Sequence, residues 1–252
     1  MMRRYKVVLL TAVLIASVAL WLAYSAAGVP ILAYHKVSED DEIYSVKPAE
    51  FEKQMRYLSD HGYTAISLTE MLEAFAGKRD MPAKPVIITF DDGYEDNYLA
   101  ALPIMEKYRM KATVFVIAGK VGEPGYLKWQ QIRAMQERNT EIGSHTLSHA
   151  ALSEITPEEQ QLEIAESKAV LERNLGTPVE YLAYPYGKFT ASLFAVLQGA
   201  GYRAACSGIT GLNLRETDPF VLRRINIPQP RYGLMEFRAR LLRADIYYRL
   251  SR

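Results

Sequence analysis

The chain has 252 residues, 49% hydrophobic and 23% charged, with a formal net charge of +1. That is enough chain for one full core, and the near-neutral balance argues against a nucleic-acid partner. A single cysteine, Cys206, excludes an internal disulfide and a cysteine-based zinc site, and reads as a small buried apolar residue.

Arg3, Arg4 and Lys6 precede an uncharged apolar run over 7–27 that includes Trp21, Leu22 and Tyr24. About 20 apolar residues span a bilayer, and basic residues on the amino side keep that end cytoplasmic. Residues 1–29 therefore read as a signal anchor, with a cleaved signal peptide as the alternative because Ser25-Ala26-Ala27 offers a small-residue cleavage site. Either way the domain is exported, held at the outer face of the cell membrane or secreted.

Residues 31–34 read as a first strand, followed at once by His35. Phe51, Met55 and Leu58 recur at helical spacing after Pro48, predicting a helix to about residue 61. Residues 63–66 suit a strand, and Ser67-Leu68-Thr69-Glu70 is a capping box opening a helix. A strand over 84–90 precedes a helix over 97–108, and 112–117 is a buried strand. Trp129, Ile132 and Met135 mark a helix, 140–144 a strand, and Thr156-Pro157-Glu158-Glu159 the start of a long helix. Strands at 181–183, 202–206 and 220–227 and a helix at 191–200 complete the domain, 30–232. Residues 233–252 form a basic amphipathic helix; it packs on the domain with a solvated basic face or, alternatively, lies on an anionic membrane. Alternating strands and helices predict an α/β fold, a distorted or incomplete (β/α) barrel, with a flat doubly wound sheet as runner-up. No Gly-rich loop follows a strand, so nucleotide binding has no support.

The reactive side chains collect just past strand ends. Val86-Ile87-Ile88-Thr89-Phe90 ends in Asp91-Asp92-Gly93, and three of the four histidines (His35, His145 and His149) also fall at strand exits. His61, the fourth, ends a helix, where a cation suits the dipole. An Asp-Gly pair by itself is a turn signal, and a lone His-x-x-x-His pair is commonly surface decoration. On a helical turn, His145 and His149 would share one face. Two imidazoles plus a carboxylate, with open positions for water or substrate, describe a catalytic site for Zn²⁺ or a similar divalent cation.

Thr89-Phe90-Asp91-Asp92-Gly93 together with His145-Thr146-Leu147-Ser148-His149 resembles the paired motifs of the polysaccharide deacetylases, carbohydrate esterase family 4, the NodB-homology domain. The resemblance covers about residues 30–228. It implies that Asp91 is the general base and that Asp92, His145 and His149 are metal ligands, with Zn²⁺ expected and Co²⁺, Ni²⁺ or Fe²⁺ as alternatives. Tyr184-Pro185-Tyr186-Gly187 resembles a further family motif, in which the backbone N–H of the tyrosine, here Tyr186, helps hold the oxyanion. That motif normally carries an arginine where this chain has Ala183, and no histidine follows His149 to serve as the family's usual acid.

Tyr34-His35-Lys36-Val37 resembles the poly-N-acetylglucosamine deacetylases of the PgaB and IcaB type, whose domain is circularly permuted, which makes His35 the general acid. Arg223 or Arg224 is the candidate to replace the missing guanidinium. The implied activity is metal-assisted hydrolysis of N-acetyl groups on an extracellular N-acetylglucosamine polymer; the expected protein is a monomer joined to the membrane through its N-terminal segment. Peptidoglycan or chitooligosaccharide deacetylation, and a non-catalytic surface glycan-binding module, are the alternatives. Tyr94, Tyr126, Trp129, Tyr184 and Tyr186 are the aromatic residues placed to stack on sugar rings.

Overall fold

The computed structural model describes residues 28–250, together with Thr11 and Val13. The apolar run over 7–27 lies outside the described residues apart from those two positions. Among the described residues no helix is long and apolar enough to cross a membrane.

Strand β1 (Val29–Tyr34) leads into α1 (Pro48–Asp60), then β2 (Thr64–Ala65), α2 (Leu68–Phe75) and β3 (Pro85–Phe90). A π-helical turn, Asn97–Ala101, runs into α3 (Leu102–Lys107), followed by β4 (Ala112–Val116), α4 (Trp129–Glu137), β5 (Thr140–Ser144) and α5 (Pro157–Leu175). The remainder is β6 (Tyr181–Ala183), α6 (Leu193–Gly199), β7 (Ala204–Cys206), β8 (Leu212–Asn213), β9 (Ile225–Asn226) and α7 (Leu234–Leu250). The strands join in one sheet of order β7-β6-β5-β4-β3-β1-β8, with β2 on β3 and β9 on β1. Every pairing is parallel except β1 with β8. The sheet curls until the chain at 222–226 bonds β7 on one side, through Leu222, and β1 on the other, through β9. The result is a distorted barrel of mixed sheet, not a flat doubly wound one.

Strand periodicity explains why these runs are apolar throughout. Leu32 and Tyr34, Ile88 and Phe90, and Val114 and Val116 face outward against the helices. The alternate residues Ile31, Ile87, Phe115, Tyr181 and Ala183 pack against one another inside. Gly143 makes room for Phe115, since a Cβ there would come within 2.5 Å of the ring. Both expected capping boxes form: Ser67 caps α2 and Thr156 caps α5, each paired reciprocally with the glutamate three residues on.

Two expectations change, and the reading of the C-terminal segment as a helix packed on the domain holds. The predicted strand over 220–227 is split into a 3-10 turn, Pro219–Val221, and β9, because the Asp218 side chain accepts the Phe220 N–H at 2.8 Å and bends the chain. Strand β8 was not expected; its two residues pair antiparallel with β1 only because the curl brings them there. The C-terminal helix α7 buries Phe237, Leu241 and Ala244, with Phe237 edge-on to Tyr57 of α1, so it packs on the domain. Cys206 is buried, as its composition class suggests.

Under the strand ends that carry His35 and Asp91 sits an aromatic cluster. Phe51 of α1 meets Tyr34 at 5.2 Å and Phe90 at 5.8 Å between ring centroids, and the Tyr34 hydroxyl donates to Gln54 at 2.7 Å. Phe51→Ala should cost roughly 3–5 kcal/mol of stability through the cavity it leaves, read as a lowered midpoint in chemical denaturation.

Candidate active site

Asp91 follows the outward-facing Phe90, so the pleat aims it inward, and its N–H donates to the Tyr34 carbonyl at 2.9 Å. There it meets Arg224, which enters from the residue before β9. The guanidinium donates twice, Nη1 to Oδ1 at 2.7 Å and Nη2 to Oδ2 at 2.8 Å, and its Nε points to the Ser207 carbonyl. Both partners are buried. Burial by itself raises the Asp91 pKa. The charge of Arg224, with His145, His35 and the two hydrogen bonds, outweighs that and holds the carboxyl well below the usual carboxylate range. Of the two candidate arginines, Arg224 is the one that pairs with Asp91. Arg223 instead donates its backbone N–H to Asn213.

Asp92 stands in the left-handed region, φ 72°, and this turn sends its carboxylate away from Asp91. Its Oδ1 lies 3.5 Å from His145 Nε2 and 3.4 Å from His149 Nε2. One ligand atom from each of the three side chains falls within 4.8 Å of the others. His145 Nδ1 is 2.8 Å from the Ala183 carbonyl, an acceptor only, so Nδ1 carries the proton and Nε2 presents a lone pair to the centre. Burial lowers the His145 pKa to about 4 and also lowers that of His149, keeping both rings neutral near pH 7. Burial and the charge of Asp91 push the Asp92 carboxyl up to about 6. Two neutral imidazoles and a crowded carboxylate aimed at one point fit a divalent cation of the zinc type.

The route to this geometry differs from the sequence expectation. Residues 145–149 do not form a helical turn. Thr146 (φ 66°) and His149 (φ 68°) are left-handed, and the segment is an irregular loop. The Thr146 side chain accepts the His149 N–H at 3.0 Å, closing the loop so that the two rings sit 4.8 Å apart.

His35 lies across the cleft, its Nε2 3.9 Å from Asp91 Oδ2. Its ring stacks on Tyr44 at 4.7 Å, and Asn97 Nδ2 donates to its carbonyl at 2.8 Å. Its buried Nδ1 has no hydrogen-bond partner among the described residues, so packing orients the ring. Tyr186 is left-handed (φ 58°), about two-thirds exposed, and lies 4.7 Å from the His149 ring. These side chains line a cleft of about 360 Å³ that also takes in Ser207, Gly208 and Asn226.

The other aromatic candidates divide. Tyr184 is fully buried and donates to the Phe220 carbonyl, so it cannot stack on a sugar. Tyr94 stacks on Tyr126 at 5.3 Å. Tyr44 was not among the sequence candidates; it lies in a loop with no motif and is recognisable only by its place over His35. His61 caps α1, with Nδ1 2.8 Å from the Tyr57 carbonyl, a structural role.

The sequence profile of the family described as polysaccharide deacetylase matches residues 78–205, half of the chain. This chain belongs to the polysaccharide deacetylases. The YxkH protein of Bacillus subtilis strain 168 is 33% identical over 201 residues, covering 80% of this chain and 72% of its own. A poly-beta-1,6-N-acetyl-D-glucosamine N-deacetylase of Staphylococcus aureus is 29% identical over 180 residues, 66% of this chain and 62% of the relative. The solved structure of IcaB from Ammonifex degensii superposes with a TM-score of 0.76 at 28% identity, covering 86% of this chain and 97% of that one. His35 and Arg224 of this deacetylase lie outside the matched span; His35 reaches the cleft because β1 pairs directly with β3, and Arg224 because the chain before β9 closes onto β1.

Replacing Arg224 by Met should leave Asp91 buried without its partner charge. The Asp91 pKa then rises, and the acid limb of kcat/KM against pH should move up by roughly one to three units. The same variant should lose about 3–5 kcal/mol of stability.

Proposed function

We propose that this protein is a metal-dependent N-deacetylase acting on an extracellular polysaccharide that contains N-acetylglucosamine. The reading is carried by one observation: Asp92, His145 and His149 converge beside a second carboxylate, Asp91, that ligates nothing and is kept charged by Arg224. Asp92, His145 and His149 would hold the cation, with Zn²⁺ expected and Co²⁺, Ni²⁺ or Fe²⁺ as alternatives. When bound, it supplies Lewis acidity toward an acetyl carbonyl and makes water more acidic.

The chain's own groups then divide the proton work. Asp91 takes the proton of the attacking water. The Tyr186 N–H, at the mouth of the cleft, donates to the carbonyl oxygen as charge builds on it; a donor of this kind is typically worth ~3–4 kcal/mol. His35 gives a proton to the departing nitrogen, so water and the amide become acetate and a free amine. The poly-N-acetylglucosamine activity named for the Staphylococcus aureus relative supports the substrate class. The alanine at position 183 would favour a glycan-binding relic, but Arg224 supplies the charge that the motif lacks. Export follows from the apolar run over 7–27, with membrane attachment if that segment is retained.

Removing bound metal with a chelator, or replacing Asp92 or His149 with Ala, should bring acetate release from N-acetylglucosamine polymers down to background. Readdition of Zn²⁺ should restore the chelated wild type alone. Turnover unchanged in either variant would remove the metal reading. A panel of β-1,6-linked polymer, chitin oligomers and peptidoglycan should show fastest release from the first.

A further inference from the structure

The loop that carries His149 holds two non-glycine residues, Thr146 and His149, in left-handed conformation. Such a loop keeps its shape only where its surroundings over-determine it. On one side the grip is backbone: Ala118 N–H donates to the Thr146 carbonyl at 3.1 Å and Gly119 N–H to the Leu147 carbonyl at 2.8 Å. Gly119 has no room for a side chain, since a Cβ would lie 2.6 Å from that carbonyl oxygen.

On the other side the grip is one carboxylate. Glu163 of α5 is buried, and no lysine or arginine among the described residues makes an ion pair with it. Its Oε2 accepts the N–H of Leu147 at 2.9 Å and of Ser148 at 2.8 Å, and its Oε1 accepts the Ser148 hydroxyl at 2.6 Å. A buried carboxylate satisfied by three donors from a single loop is directional, and losing it leaves those donors unpaired. One helical turn further along α5, Ser167 receives a hydrogen bond from Ser144, the residue before His145, at 2.8 Å. The same face of α5 thus grips the approach to the first imidazole and the segment leading to the second.

We propose that Glu163 is a positioning residue of the metal site: through Leu147 and Ser148 it sets where His149 presents its ring to the cation. This rests on the reading of His149 as a ligand and extends it to a residue that touches neither metal nor substrate.

The test measures Zn²⁺ affinity of the full-length protein by chelator competition, together with the melting temperature of the metal-free form, for wild type, Glu163→Gln, Ser148→Ala and Leu171→Ala. Glu163→Gln should bind Zn²⁺ roughly 10- to 100-fold more weakly. Its kcat/KM should fall at limiting Zn²⁺ and recover toward wild type as Zn²⁺ is raised. Ser148→Ala, which removes one of the three hydrogen bonds, should weaken binding by a smaller factor. Leu171 is buried on the same helix away from the loop, so Leu171→Ala should lower the melting temperature and leave Zn²⁺ affinity unchanged. Wild-type Zn²⁺ affinity in Glu163→Gln overturns the inference. Should that variant fail to fold, undiminished affinity in Ser148→Ala overturns it. A wild-type protein that binds no divalent ion overturns the metal reading and this inference with it.

Discussion

The contact on which the site depends is the buried pair of Asp91 and Arg224, two residues 133 positions apart in the chain. A carboxylate taken out of water beside a second carboxylate is strongly disfavoured unless a cation with matched geometry meets it. The bidentate guanidinium supplies both the charge and two directed hydrogen bonds. Because Arg224 enters from the residue before β9 and Asp91 from the end of β3, the pair can form only when β9 lies along β1 and the barrel has curled. A pair like this is weak evidence of stability. Its value is orientation, since it fixes one carboxylate and leaves its neighbour to turn elsewhere.

That turn separates two chemically identical neighbours. Asp91 continues the inward side of the pleat and is held charged. Asp92, one residue on, takes a left-handed backbone and faces the imidazoles, with its pKa raised by burial and by Asp91. Environment assigns them opposite electrostatic conditions, as enzymes using carboxylate pairs commonly require. The histidines complete the contrast. The Ala183 carbonyl fixes the tautomer of His145, so the alanine at the position of the family's arginine still serves the site through its backbone.

The fold makes this possible by being apolar on both sides of its strands. Outward residues pack under the helices and inward ones fill the barrel, so the strand ends are rigid platforms from which short loops project. Each projecting loop is then tied to an element behind it. Asn97 and Asp96 bond the backbone at His35 and Val37, and Glu163 bonds the backbone between the two histidines. These polar groups hold reactive side chains in place and do not contribute to the core itself.

Much of this was legible from residue order alone, for reasons that are local. The two capping boxes, the β-branched runs of β3 and β4, and the emergence of Asp91, Asp92, His145 and His149 at strand ends depend on neighbours within a few residues. The family motifs are just as local, being short and contiguous. What could not be read depended on partners remote in sequence. The choice of Arg224 over Arg223, the burial of Tyr184 and the two-residue strand β8 all follow from the curl of the sheet. The irregular loop at 145–149 belongs with them: spacing alone suggested a helical turn, whereas the backbone N–H groups of Leu147 and Ser148 go to Glu163 on α5. A backbone donor takes the best acceptor in reach, and which acceptors are in reach is known only once the chain has closed on itself.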